Sequence, residues 1–457
     1  MREESRPVTD ARRRGFASLR ASIVWMVGWG LAASIGGCAA TPLSPPAGEL
    51  VVGPHALASE GWPHPKDFAE LSAWVADPQG PKAIELEGHS YLGNLQIKRA
   101  LHLRGTPDSV LDGERHGTVL ILEGAGIVVE NLSVRGSGRR HTTEDGAIRA
   151  EGSGVVIANV AVFDSLFGIS LQRCHGCVVR ANHVRGRDDD PELRGDGIKL
   201  WESQDSRVEN NLVEDSRDVV VWYSRRVHLD GNTIRRSRYG THFMYAHDGV
   251  VTNEHLIDNV VGIFAMYSSR LIIDGNVLAG ARGAAGVGLG FKECDGATVR
   301  GNFLVGNSTG VYLDRSPRSE VTPVVIEGNV FGIDDVAVRL HSGQDGVFLR
   351  ANDFQGNGRL VDVEGGGDAM RITFDGNYLS EYAGYDLNGD GVGDVAFEKK
   401  RLGSDLVESH PAAQLLEGTV ALGIVDAVAM AIPVLATKKL FVDLHPAMRP
   451  HRSETSP

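Results

Sequence analysis

Residues 240–249 read GTHFMYAHDG, placing a methionine between two histidines in a chain with seven methionines among 457 residues. Thioether sulfur is a soft donor and imidazole a versatile one, and the pair suits Cu(I) better than a hard ion. The stretch is not isolated. Trp201, Trp222, Met244 and Met266 follow one another at steps of 21, 22 and 22 residues, and Val220, His242 and Phe264 run two residues ahead of the last three. In a chain that returns to the same place every such step, these residues form one column. His242, Met244 and Met266 then converge as donors to a soft ion, with His247 just past them as a further candidate.

Such a return is written in the sequence. An apolar residue, two variable residues and an Asn recur at Asn131, Asn159, Asn182, Asn211, Asn232, Asn253, Asn276, Asn302, Asn329, Asn352 and Asn377, at steps of 21 to 29 residues. Short runs rich in Val and Ile separate them, alternating apolar with polar residues. A period of this length without helical patterning means a solenoid built of strands. The expected fold is all-β, a right-handed parallel β-helix of about 11–13 coils, with the Asn side chains stacked as an internal amide ladder. Leucine-rich repeats fit less well, because their leucines are missing. The longer steps fall at RGSGRRHTTEDG and RGRDDDPELRGDG, polar insertions expected to project as loops on one side. Residues 66–76 predict a short amphipathic helix covering the N-terminal coil, since solenoid ends need caps.

Strand periodicity sets which side chains face out. Glycines or their equivalents mark the start of one strand per coil. The positions one and three further on are apolar and face the core. The positions two and four further on face out: Ser170/Gln172, Lys199/Trp201, Val220/Trp222, His242/Met244, Phe264/Met266, Gly288/Gly290 and Tyr312/Asp314. Glycines 286, 288 and 290 then predict a notch beside Met266. An apolar stripe of this kind serves as a docking surface, as a Cu(I) transfer site combined with docking, or as the seat of a loop from the same chain.

Other groups carry other chemistry. Asp386, Asn388, Asp390 and Asp394, with Gly391 at the sixth place, match the front of an EF-hand loop. Phe397 stands where the bidentate Glu belongs, so the expectation is a structural Ca²⁺ loop or a metal-free turn cluster. Cys174 and Cys294 sit where other coils carry Ser203, Ser224 and Ser268, which makes them turn fillers; Cys177, joined to Cys174 in CHGC, is a turn filler, a local disulfide partner or half of a soft-metal pair. Residues 419–436 are apolar, interrupted by Asp426 and Pro433, and predict a helical tail that packs on the solenoid or on a membrane partner. The chain has 46 basic and 59 acidic residues, a net charge of -13, which argues against a nucleic-acid partner. β-Helices also act on polysaccharides, and Trp201 and Trp222 offer rings to a sugar. Hydrolysis needs convergent acids on one outer wall, and the outward column offers only Asp314 near Arg315.

The N-terminus carries Arg12, Arg13, Arg14 and Arg20 ahead of an apolar stretch and Ile35-Gly36-Gly37-Cys38, a lipobox-like ending that predicts export and lipidation at Cys38. The expected organisation is therefore a signal peptide (1–37), a linker and cap (38–80), the β-helix (81–385), a calcium-loop-like segment (386–397) and an apolar docking tail (398–457).

The phrases RGDGIKLWES, GTHFMYAHD, AMYSSRL, YDLNGDGVGD and AMRP together resemble the NosD family, over about residues 50–450. The resemblance implies a periplasmic, non-enzymatic accessory factor for assembling the metal centre of nitrous oxide reductase. It implies a β-helix standing on an ABC transporter of permease and ATPase, taking copper from a lipoprotein chaperone and passing it towards the reductase, with the tail meeting the permease. Carried onto this chain, its HFMY and AMYS phrases make His242, Met244 and Met266 the copper or partner contact. The alternative is a carbohydrate-binding or polysaccharide-active β-helix of the cell envelope.

Overall fold

A computed structural model describes residues 61–400 and 438–452. Cys38, the export segment and the apolar stretch 419–436 lie outside the described residues. The described residues form one compact unit.

That unit is a parallel β-solenoid of about 13 coils. Each coil gives one short strand to each of three sheets, which hold 15, 13 and 12 strands among the described residues. Strands of two to eight residues suffice because neighbouring coils are hydrogen-bonded to one another. The pairing is in register: Ile273 stacks on Val299, and Val299 on Ile326. One residue per strand, sometimes two, points inward, and these Val, Ile, Leu and Phe side chains build a single continuous core. Burial of such like-on-like stacks is the main favourable term holding the coils together.

Polar ladders run at the corners. At the first, Asn182, Asn211, Asn232, Glu254, Asn276, Asn302, Asn329, Asn352 and Asn377 follow one another. In each Asn pair along it, the Nδ2 atom donates to the next Oδ1 at 2.8–3.0 Å. Asp443 closes the ladder, its Oδ2 accepting Nδ2 of Asn377 at 2.8 Å. Three of the repeated asparagines are not rungs. Asn131, Asn159 and Asn253 have φ of 59°, 50° and 54° and occupy the left-handed turn position one residue earlier. The rung beside Asn253 is Glu254. Asn tolerates the left-handed turn as well as it fills the ladder, so it appears at both places.

The ends differ from each other. Helix Phe68–Ala76 begins at Asp67, whose side chain accepts the Glu70 N–H while Glu70 accepts the Lys66 N–H. Such reciprocal capping fixes a helix start. Its Leu71 and Val75 join the core. At the other end, the described parts of the tail are strand rather than helix. Phe397–Lys400 pairs antiparallel with Lys439–Asp443, and the latter meets the last coils at Phe374↔Asp443.

Candidate functional site on the outer wall

The third sheet contains strands Ile198–Trp201, Asp218–Trp222, Tyr239–Met244 and Val261–Met266. Their register stacks Lys199, Val220, His242 and Phe264 in one column and Trp201, Trp222, Met244 and Met266 in the next. The alternate residues, Leu200, Val221, Phe243 and Ala265, lie in the core; the column residues do not. Trp201, Trp222, Met244, Met266 and Phe264 are half-buried. The 21–22-residue spacing thus brings both thioethers onto adjacent coils of one wall.

Two details depart from expectation. The next coil is displaced by two residues, so Gly290 follows Phe264 and Lys292 follows Met266. The extra residues lie before Val287, so Gly288 rather than Gly286 aligns with Gly262. No notch opens beside Met266. The ring of Phe264 covers Gly290, where an added Cβ would lie 2.4 Å from its Cδ2 and Cε2. His242 lies on the outer side of the wall but is only 8% exposed. Tyr239, three residues earlier on the same strand, stacks on its ring at 4.6 Å.

His247 stands apart. It pairs with Arg225 and Ser269 in a separate column, and its Nδ1 lies 2.8 Å from Ser269 Oγ. Burial, then Arg225 and Arg270, hold its pKa below the ordinary value. Between His247 and the thioethers runs a feature that the sequence reading passed over. Tyr223, Tyr245 and Tyr267 each follow a column residue directly, have φ near 50°, and stack at 5.1 and 4.8 Å with Trp222 at the head. The repeated Trp-Tyr, Met-Tyr, Met-Tyr pairs were the available signal.

A second overlooked group sits at the head of the first column. Asp218 accepts Arg238 Nε at 3.0 Å and lies 3.7 Å from His242 Nδ1. Asp196 is one coil back, near Arg217 at 3.8 Å. Lys199 pairs with Glu144 from the first insertion loop. The two insertion loops touch each other, Arg187 donating to Ser137 O at 3.1 Å. Burial raises Asp196 to about 6, with Asp218 adding to the effect. Burial also opposes ionisation of Asp218, but the nearby His242 ring and the hydrogen bonds from Arg238 outweigh it and hold that carboxyl below its usual range. Nothing in the sequence joins Asp196, in a polar insertion loop, to Asp218, which occupies the strand-start place that glycine fills in neighbouring coils.

Cys174, Cys177 and Cys294 are buried. The Cys174 and Cys294 amides donate to Ser203 and Ser316 at the third corner, as the Ser203 amide donates to Ser224. They fill a Ser column. In the 386–394 loop the acidic side chains turn to the loop's own amides. Asp386 accepts from Gly389 and Gly391, Asp390 from Val392, and Asp394 from Leu387. Among the described residues no group of three or more His, Cys, Asp or Glu is arranged to hold a metal ion. The thioether column offers a different donor chemistry, two sulfurs and one imidazole, which fits a soft monovalent ion.

Fold and wall together define a parallel β-solenoid whose outer face carries a column of thioethers and aromatics. Residues 182–384 match a family model described as periplasmic copper-binding protein (NosD). A probable ABC transporter binding protein NosD of Pseudomonas aeruginosa is 30% identical over 403 residues, covering 80% of this chain and 88% of the relative. Its counterpart in Stutzerimonas stutzeri is 27% identical over 390 residues, covering 81% and 88%. The chain belongs to the NosD family. Among solved structures, the A-module of mannuronan C-5 epimerase AlgE6 from Azotobacter vinelandii superposes with a TM-score of 0.57 at 15% identity, covering 68% of this chain and 94% of that one. The catalytic unit of a thermostable α-1,3-glucanase from Streptomyces thermodiastaticus gives 0.56 at 15%, covering 72% and 69%. These two share the fold.

Proposed function

We propose that this chain is a non-enzymatic periplasmic accessory factor that works with an ABC transporter and relays Cu(I) for assembly of the nitrous oxide reductase metal centre. It receives the ion from a copper chaperone lipoprotein, and Cys38 anchors it to the membrane. The family description and the names of both relatives support the copper and transporter parts of this reading. The observation that carries the site is the register Met244↔Met266 with His242 two residues from Met244 on the same wall. Copper is cargo here. Two half-buried sulfurs on a wall open to a partner hold the ion without enclosing it, and release to the next protein needs no unfolding.

The wall is poorly suited to stacking on sugars. Tyr223, Tyr245 and Tyr267 turn their faces to one another, and Arg173 lies 5.4 Å over Trp201. The test is Met244→Ala with Met266→Ala, titrated with Cu(I) against a chromogenic chelator. The expected result is at least a tenfold loss of affinity, about 1.4 kcal/mol, with folding unchanged. Equal affinity in the double variant defeats the assignment.

A further inference from the structure

The wall contains a buried imidazole with an unused nitrogen. His242 Nε2 is buried and has no hydrogen-bond partner, and Trp222 Nε1 beside the thioethers shares that condition. A buried polar atom left without a partner costs about 1–3 kcal/mol. Such an atom, two residues from Met244 on the same strand, calls for a ligand.

The other ring nitrogen is not free. Nδ1 lies 3.7 Å from Asp218 Oδ2, with the two side chains 11% and 3% exposed. The distance is within ion-pair range and longer than a hydrogen bond. The carboxylate therefore acts by its field: it favours the proton on the nearer ring nitrogen and leaves the lone pair on the farther one. Asp218 is itself held. Arg238 Nε donates to Oδ1 at 3.0 Å, Arg238 Nη2 donates to Oδ2, and the Tyr239 amide reaches Oδ1 at 3.3 Å. Tyr239 then clamps the imidazole face while Arg238 covers the Tyr239 ring at 4.8 Å. The strand that carries Asp218 pairs directly with the strand that carries His242.

We propose that Asp218 is the positioning residue of the copper seat: it sets the imidazole of His242 with the proton on Nδ1, so that Nε2 joins Met244 and Met266 as a donor to Cu(I). This rests on the copper reading above and adds the group that orients its nitrogen. A carboxylate behind a metal-binding histidine fixes its tautomer and raises its basicity, and losing it typically weakens metal affinity 10–100-fold.

The decisive measurement needs no metal. Long-range ¹H–¹⁵N correlation on the full-length protein, with His242→Ala to assign the signal, reads which nitrogen carries the proton. The expected result is Nδ1–H in the native protein; Nε2–H overturns the proposal. With Asp218→Asn, Cu(I) affinity measured against a chromogenic chelator is expected to fall about 10–100-fold, while Asp218→Glu recovers part of it. If His242→Ala loses affinity and Asp218→Asn does not, Asp218 has no positioning role and the copper reading stands. If neither His242→Ala nor the double methionine variant changes affinity, the copper reading falls and takes this one with it.

Discussion

The corner ladder inside the solenoid and the wall outside it are built by the same coils, yet they treat polar atoms in opposite ways. Along the ladder nearly every amide is used. Asn302 accepts both the backbone and the side-chain N–H of Asn276 and donates to Ile273 O, Arg300 O and Asn329 Oδ1. On the wall, His242 Nε2 and Trp222 Nε1 are buried without a hydrogen-bond partner. Buried polar groups are normally satisfied, so a satisfied set reports on folding and an unsatisfied set reports on a task. The ladder adds to the stability that the apolar core supplies, and the wall is where the molecule gives some up.

The largest effect expected from breaking this contrast lies in the ladder. Asn302→Ala removes one rung and strands the Asn276 backbone N–H, one Asn276 side-chain N–H and the Ile273 carbonyl. At about 1–3 kcal/mol for each of these three groups, the loss is at least about 3 kcal/mol in denaturant unfolding. Cu(I) affinity of the folded fraction is expected to stay at its native value. A variant that keeps its stability shows that the ladder is ornamental.

One rung sharpens the comparison because it breaks the ladder's own rule. Glu254 is fully buried. Its Oε1 accepts N and Nδ2 of Asn232, but Oε2 has no partner. An Asn there would donate to Asn276 Oδ1, as other rungs do. Burial pushes the Glu254 pKa up to about 8, which favours the neutral carboxyl. Its unfolded value is near 4.5. Between those two pH values the folded chain holds a proton that the unfolded chain has released, so stability falls as pH rises from 4.5 to 8. Below the window both states are protonated and nothing is lost; above it the penalty is complete. Glu254→Gln keeps the shape without the charge. It is expected to flatten this slope and to gain on the order of 3 kcal/mol at pH 8, read from unfolding curves at pH 5 and pH 8. Equal slopes in variant and native protein mean that the rung is not protonated.

Asp334 repeats the device at the second corner. Its Oδ1 accepts N and Nδ2 of Asn307, its Oδ2 is unpartnered, and burial raises it to about 7 from 3.8. Asp334→Asn is expected to act with the same sign over a window ending one pH unit lower, and by a smaller amount because Arg282 already favours the charged form. Asp443 is the counter-example. At the ladder's end its oxygens accept from Gly376, Asn377 and His445. It closes the ladder as an acceptor.

How much of this was legible beforehand follows from the spacing. Where coils are 21–22 residues long, counting alone aligned Trp201, Trp222, Met244 and Met266. Where a coil grows, counting from its first glycine misplaced Gly288 and Gly290 by two residues. The ladder was recognisable by its asparagines, but Asn253 took the place of Glu254 because a left-handed turn and a rung both accept Asn and lie side by side. The cluster of Asp196, Asp218, Lys199 and Glu144 was out of reach. Its members are far apart in the chain and meet only through register and through a loop whose path no periodicity fixes. The stacking of Tyr239 on His242, three residues apart on one strand, falls where the pairing with the Asp218 strand slips by one residue, which alternation does not encode.

The smallest expected effect is on the wall. Met244 and Met266 are half-buried, their alternate neighbours Phe243 and Ala265 carry the core contacts, and no hydrogen bond depends on either side chain. Truncating both removes partial apolar contact at roughly 25 cal/mol per Å² and leaves no buried donor without a partner. The change in unfolding free energy is expected to stay within about 1 kcal/mol, less than a single ladder rung, while Cu(I) affinity falls. A loss of several kcal/mol from the methionine pair places these sulfurs in the same service as the asparagines. The division of labour between the inner ladder and the outer wall would then be wrong, because one set of coils would be stabilised from both sides and neither side would be free to give up an ion.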